Sequence, residues 1–326
     1  METHHFSLTQ GDRGQMQQQA CRHSSLATVF GLALTLGLFS VACSVPNLPP
    51  DSNGPGDATS AANEQQSIIT VTLAAIPWQN SAEQQASLKE LVDYLQEKTD
   101  LSIQVEMAET YEDAVDLLVE EKVEMAFLGA FSYIKARDRN PQLEPLVVPI
   151  EKTTGRPWYT SVIAVRTDSG INTLEDLKGK RFSFVSPSST SGYLVPSVHF
   201  QELDLKPDRD FGAVEYSGGH NKSAQLLAMG KVDAIATENQ NYTHESQAGV
   251  LASGDYKIIW ESNPIPNAPL VVSSKLPNSL KVAIRKALLN APEGLADISG
   301  AESSGYSIAV DSDYNVIRQL KAKLNS

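Results

Sequence analysis

Phe182-Ser183-Phe184-Val185-Ser186-Pro187-Ser188-Ser189-Thr190-Ser191-Gly192-Tyr193-Leu194-Val195-Pro196 joins a short apolar run to four consecutive hydroxyl residues. The run Phe182 to Val185 reads as a buried strand and Ser191 to Leu203 as a helix, so the hydroxyls fall at a strand-to-helix junction. Ser and Thr placed there cap the free N–H groups of the helix. The same N–H groups, with the helix dipole, favour an anion. A capped turn and an anion site both satisfy the stretch taken alone. Pro196 falls within the first turns and predicts a bend or a shortened regular start.

Working outward, the order strand, helix, strand, helix, strand occurs twice. Ile68 to Ala74 is a β-branched run ending at Pro77-Trp78, and Leu88, Leu91, Val92 and Leu95 then mark one apolar helix face. Ile103 to Met107, a helix with Ala114, Leu117 and Leu118 inward, and Val123 to Leu128 complete the first unit. The second runs from Phe182 through Ala213 to Tyr216, a helix over Asn221 to Met229, and Val232 to Ala236. Leu117-Leu118 stand five and four places before Lys122-Val123-Glu124, as Leu226-Leu227 do before Lys231-Val232-Asp233. That gap-free match pairs Tyr111 with His220, each eleven residues before its Lys. Such alternation predicts parallel sheets with helices on their faces, and ligands of open α/β sheets sit at the carboxyl edge, where both rings fall. Tyr111 as a packing residue, His220 as a turn residue and the match itself as coincidence remain the plainer alternatives.

The expected fold is therefore α/β, with two parallel-sheet lobes joined by two crossings, placed at Val162 to Arg166 after Trp158-Tyr159-Thr160 and at Ile258-Ile259-Trp260 to Pro264-Ile265-Pro266. Leu270-Val271-Val272 then returns the chain to the first lobe, and helices around Val282 to Leu289 and Tyr314 to Leu324 end it. Residues 67–160 with 265–326 form the first lobe and 161–264 the second. Hinge crossings of this kind let two lobes close on a small ligand.

Leu26 to Ala42 is apolar or small, follows Arg22-His23 and ends at Cys43, which reads as a secretory signal over residues 1–42, with an uncleaved anchor as the alternative. Val41-Ala42-Cys43 is similar to the end of a lipoprotein signal, in which the Cys carries the lipid, although Ser40 departs from the usual Leu. Met16 is an alternative start. Residues 43–66, rich in Pro, Asn, Ser, Gly and Ala, read as a flexible tether. Both cysteines, Cys21 and Cys43, lie in this leading part, so the body carries no disulfide. A net charge of −13 argues against nucleic acid as a partner and requires any anion to be bound by local hydrogen bonds. His199, His220 and His244 lack metal-ligand spacing, so neither metal nor cofactor is expected.

Ser188-Ser189-Thr190-Ser191-Gly192-Tyr193-Leu194-Val195-Pro196, then Gly219-His220-Asn221, Lys231-Val232-Asp233, and Ile259-Trp260 with Pro264-Ile265-Pro266 resemble the periplasmic phosphonate-binding proteins of ABC transporters. The resemblance spans roughly Ile68 to Leu324. It implies a two-lobed solute-binding protein of type II, not an enzyme, that holds a PO3 group through Ser189, Thr190, Ser191, Tyr111 and His220. Members that bind aminoalkylphosphonates use two carboxylates for the ammonium. Here those places hold Gln240 or Asn241, and Ala268, so a smaller ligand without an amine is expected: phosphite, methylphosphonate or a related oxyanion, with phosphate not separable from them. Glu238 could still restore an acid nearby, which would reopen the site to an amine. Phe127-Leu128-Gly129-Ala130 replaces a Tyr frequent in the family and makes the wall more apolar. Trp78, Leu128, Trp158, Tyr159, Asn221, Gln240 and Asn241 are the candidate cleft wall, with core or hinge packing as the alternative for Trp78, Trp158 and Tyr159.

The resulting expectation is a monomeric lipoprotein, tethered through Cys43 in the periplasm or at the cell surface, that delivers its oxyanion to a membrane permease. The alternatives are a ligand-sensing receptor for a membrane kinase, and an exported serine hydrolase using Ser191 and His220. The hydrolase is the weaker, because Ser189-Thr190-Ser191-Gly192 is not a Gly-x-Ser-x-Gly elbow and no orienting acid is evident.

Overall fold

The computed structural model describes residues 69–326 apart from 79, 80, 296 and 298–302. The expected signal over residues 1–42, the expected tether over 43–66 and Cys43 lie outside the described residues. In chain order β1 (Thr70–Ala75), α1 (Ser81–Thr99), β2 (Ser102–Met107), α2 (Tyr111–Val119) and β3 (Met125–Phe127) make the first unit, with β1 between its parallel partners β2 and β3. The chain continues through α3 (Ala130–Arg139), β4 (Glu144–Glu151), β5 (Trp158–Tyr159) and β6 (Ser161–Arg166). β7 (Arg181–Phe184), α4 (Val195–Glu202), α5 (Pro207–Asp210), β8 (Ala213–Tyr216), α6 (His220–Ala228) and β9 (Ala234–Glu238) repeat the plan, with β7 between parallel β8 and β9. Then follow α7 (Asn239–Gln247), β10 (Tyr256–Glu261), β11 (Ile265–Pro266), β12 (Leu270–Val272), α8 (Asn278–Leu289), β13 (Ser303–Ile308) and α9 (Asn315–Leu324).

Two larger sheets result, ordered β13-β4-β12-β3-β1-β2 and β10-β6-β9-β7-β8. Each has the expected parallel core, and each is mixed: β12 and β13 pair antiparallel in the first, β6 and β10 in the second. β6 follows β5 after one residue and β12 follows β11 after three, so each of these strands enters its sheet directly from the separate β5–β11 ribbon. The stretches expected to cross, Val162 to Arg166 and Ile258 to Trp260, are strands of the second sheet. β5 and β11 form the two-stranded ribbon beside them, with Ile265 opposite Tyr159 and Pro266 opposite Trp158.

The apolar face expected on α1 is buried at Leu88, Leu91, Val92 and Leu95 and packs into the core of the first sheet. The second sheet rests on an aromatic cluster in which Phe182 meets Phe184 and Phe200 edge to face. Each such ring contributes about 1.5–3 kcal/mol on burial. Val185, Leu194, Val195 and Val198, although they flank the second sheet's β7 and α4, belong to the first sheet's core cluster. The two sheets are thus tied together immediately beneath the hydroxyl-rich junction.

Candidate functional site

Ser189 caps the turn that follows β7: its Oγ accepts the Gly192 N–H at 3.0 Å. The turn is π-helical over Thr190–Leu194, with Leu194 N donating to Ser189 O at 3.0 Å, and regular α4 begins only at Val195. Pro196 explains this shortened start. It has no N–H to give to the Gly192 carbonyl one turn back, and that carbonyl accepts from Val185 N at 3.0 Å instead. Thr190 Oγ1 accepts the Phe131 N–H at 2.9 Å from the first turn of α3, and Ser161 Oγ donates to Ser191 O at 2.6 Å. The Ser189 and Thr190 oxygens are therefore engaged as acceptors, which leaves their O–H protons to donate to an anion. Ser188 turns elsewhere, donating to Glu112 Oε1 at 2.6 Å while Lys135 Nζ lies 2.7 Å from its Oγ.

Tyr111 and His220 are the first residues of α2 and α6, after N-caps Thr110 and Gly219. The expected pairing of the two positions is thus exact in the helical frame. Thr110 and Asp113 close a capping box that fixes the start of α2. Gly219 lies in a close approach: a Cβ there would press on the Pro77 carbonyl oxygen at 3.2 Å and the Asn221 side chain at 3.3 Å. The β1–α1 loop thereby reaches the second unit, and His220 N donates to Trp78 O at 3.1 Å. The Trp78 ring lies 5.6 Å from that of His220, and its Nε1 donates to Glu238 Oε1 at 2.6 Å. His220 Nδ1 is 2.9 Å from Thr237 Oγ1, which leaves Nε2 as the ring's other hydrogen-bonding atom.

Burial dominates the electrostatics. Tyr111 is held well above the usual phenol range, first by desolvation and then by the nearby Glu238 and Tyr159. Its hydroxyl is buried with no hydrogen-bond partner among the described residues; the Ser189 hydroxyl is close enough to oppose the shift without making a bond. Tyr159 is also raised, by burial and Glu238, against the hydroxyls of Ser191 and Thr190. Burial pushes His220 down to about 3, so its ring is neutral. Burial pushes Glu238 up to about 8, against the Trp78 hydrogen bond, so at neutral pH this carboxyl is largely protonated. The cleft is a set of neutral hydrogen-bonding groups at the carboxyl ends of β1, β2, β3, β7, β8 and β9.

The structure brings Tyr111, Ser189, Thr190, Ser191 and His220 together with Trp78 and Tyr159, all buried. Asn221 is buried with its Oδ1 unpartnered among the described residues, and Asn241 accepts from Thr237 Oγ1 at 3.1 Å. Leu128 joins the first sheet's core, and Gly129 after it caps α3. Trp158 stands apart: it is 45% exposed and, with half-buried Gln240, lines a groove outside the clamp. Glu238, which the sequence offers only as a nearby acid, is central, and so is Thr237, which the sequence does not single out: the apolar run stops at Ala236, whereas β9 continues through both residues, buried.

Two mixed α/β sheets, with binding groups gathered where their strand ends meet, define a two-lobed solute-binding protein. The family model described as the periplasmic phosphonate substrate-binding protein of ABC transporters matches residues 73–314, and the chain belongs to that family. The phosphate-import protein PhnD of Mycolicibacterium smegmatis is 30% identical over 262 residues, 78% of each chain. The phosphonates-binding periplasmic protein of Escherichia coli is 29% identical over 252 residues, 74% of this chain and 73% of that one. The crystal structure of a binding protein component of an ABC phosphonate transporter from Pseudomonas aeruginosa superimposes with a TM-score of 0.72 at 23% identity, over 79% of this chain and 87% of that one. These are substrate-binding transport proteins, not enzymes, which sets the hydrolase alternative aside.

Proposed function

We propose that this protein captures a small phosphorus oxyanion, namely phosphite, methylphosphonate, a related phosphonate or phosphate, and hands it to a membrane permease while tethered by a lipid at Cys43. The observation that carries this reading is the convergence of Ser189, Thr190, Ser191, Tyr111 and His220, from both units, on one buried cleft. The hydroxyls of Ser189, Thr190, Ser191 and Tyr111 would donate charge-assisted hydrogen bonds to an oxyanion once water is excluded, while His220, neutral and with its Nδ1 proton given to Thr237, would accept a P–OH proton at Nε2. The resemblance puts Gln240 or Asn241, and Ala268, at the two places where aminoalkylphosphonate binders carry acids, and this favours the smaller ligands. Glu238 supports a second reading. A ligand ammonium close to it would hold the carboxyl ionised, and an aminoalkylphosphonate would then bind more tightly than methylphosphonate.

Calorimetry of the full chain with phosphite, methylphosphonate and 2-aminoethylphosphonate separates the two readings. Thr190→Ala combined with His220→Ala is expected to abolish binding and leave the fold intact. Unchanged phosphite and methylphosphonate affinity in that double variant would sink the assignment. Co-purification with a permease, as against a membrane kinase, separates import from sensing.

A further inference from the structure

Glu238 is buried at the carboxyl end of β9, and groups from several elements surround it. The β1–α1 loop bonds it, Trp78 Nε1 donating to Oε1 at 2.6 Å, and the Trp78 ring lies 5.6 Å from that of His220 on α6. Tyr111 of α2 and Tyr159 of β5 both feel its charge. Asp297, from the segment before β13, acts on it as a second acid. Ser161, its partner on β6, and Asn239, the first residue of α7, carry no charge. No lysine or arginine acts on this carboxyl among the described residues. An ionised Glu238 would therefore share the cleft with the bound anion, buried and without a countercharge.

We infer that capture is proton-linked through Glu238: the oxyanion is held while this carboxyl carries its proton and is released as the proton leaves. The inference rests on the phosphoryl reading of the clamp. Oε1 accepts the Trp78 N–H, so the proton sits on Oε2. Solvent supplies that proton on binding and takes it back on release. Two like charges in one water-excluded site repel strongly, because little solvent screens them. The bound anion therefore tightens the hold of Glu238 on its proton, and by reciprocity the proton tightens the hold on the anion. The empty cleft already favours the neutral carboxyl, since burial pushes it up to about 8 and Asp297 acts in the same sense; the effect of the ligand is thus felt at and above this pH. A glutamine at this place would be neutral at every pH. The glutamate makes the neutrality of the clamp conditional.

The test measures methylphosphonate affinity from pH 6 to 9 by calorimetry, on the full chain and on Glu238→Gln. Loss of the ligand's own P–OH proton weakens binding to both proteins alike, so the ratio of the two affinities isolates Glu238. Between pH 7 and 9 the unaltered protein is expected to lose about tenfold in affinity relative to the variant, as a group at about 8 passes from mostly protonated to mostly ionised. At pH 8, in buffers of different ionisation enthalpy, it is expected to take up about half a proton more per ligand bound. Trp78→Phe is the second variant: the indole bond favours the ionised carboxyl, so its loss is expected to move the fall in affinity to higher pH. A ratio that does not change with pH, or that changes in the opposite sense, overturns the inference and leaves the phosphoryl clamp standing. So does a fall that stays at the same pH in Trp78→Phe, and this comparison decides the matter if the glutamine variant does not fold. Failure of both methylphosphonate and phosphite to bind the unaltered protein across this range overturns the clamp reading, and the linkage with it.

Discussion

Glu238 governs the charge of the clamp, because it is an acid buried among neutral donors at the end of β9 and bonded to an indole from the other unit. Its carboxyl is raised from 4.5 to about 8, so its stabilising contribution is complete below 4.5 and is lost as pH rises through about 8. His220 is lowered from 6.5 to about 3, so its contribution is complete above 6.5 and is lost as pH falls toward 3. Between 4.5 and 6.5 the two slopes oppose; above 6.5 Glu238 acts alone. Thermal unfolding of Glu238→Gln from pH 4 to 9 should therefore gain on the unaltered protein as pH rises to about 8 and then level off. A melting-temperature difference that does not change with pH would refute the assignment of this carboxyl. The equivalence of Tyr111 and His220 was legible in the sequence, because a gap-free repeat fixes each at the first turn of a matching helix. Glu238 was visible as a nearby acid but its burial was not: positions 237 and 238 lie within β9, with the Trp78 indole bonded to Glu238, and one-dimensional periodicity records none of that.

At the scale of the element, the junction after β7 is shaped by two residues that forbid the ordinary alternative. Pro196 withholds a donor and frees the Gly192 carbonyl for Val185. Gly192 must itself lie against Val185, since an added Cβ would collide with the Val185 side chain and stand 2.9 Å from Ser189 Oγ. Gly192→Ala is accordingly expected to cost about 1–3 kcal/mol by overpacking and to loosen the Ser189 cap. Urea unfolding measures the first effect, and oxyanion affinity, lowered alongside, the second; an alanine variant of unaltered stability would show that the turn has slack. The sequence announced this element through its hydroxyls and its proline, both local signals. It did not announce that β6, β10, β12 and β13 run antiparallel to their neighbours, because an apolar run has the same pattern whichever way its neighbour points.

At the scale of the molecule, closure is a set of bonds between residues far apart in sequence. Trp78 to Glu238 and Phe131 N to Thr190 Oγ1 join the two units inside the cleft, and both surround the clamp directly. Lys135 joins them from outside it: Nζ of this α3 residue donates to the Pro187 carbonyl at 2.9 Å and lies 2.7 Å from Ser188 Oγ, whose own proton goes to Glu112 on α2. Half-burial lowers the Lys135 ammonium from its usual value, with Glu112 acting in the opposite sense. This contact ties the β7 junction to α2 and α3 from outside the clamp, so weakening it is expected to favour opening without removing a group placed against the ligand. Removing the ammonium while keeping an apolar stem, as in Lys135→Met, should shift the balance toward opening by the net worth of one or two partly exposed hydrogen bonds. That predicts ligand release faster by roughly three- to tenfold, with a smaller change in the rate of capture. Stopped-flow displacement of bound oxyanion from the full chain reads the release rate directly. If Lys135→Met releases ligand at the unaltered rate, the lysine merely decorates the closed form, and closure must be set by the Trp78 and Thr190 contacts alone.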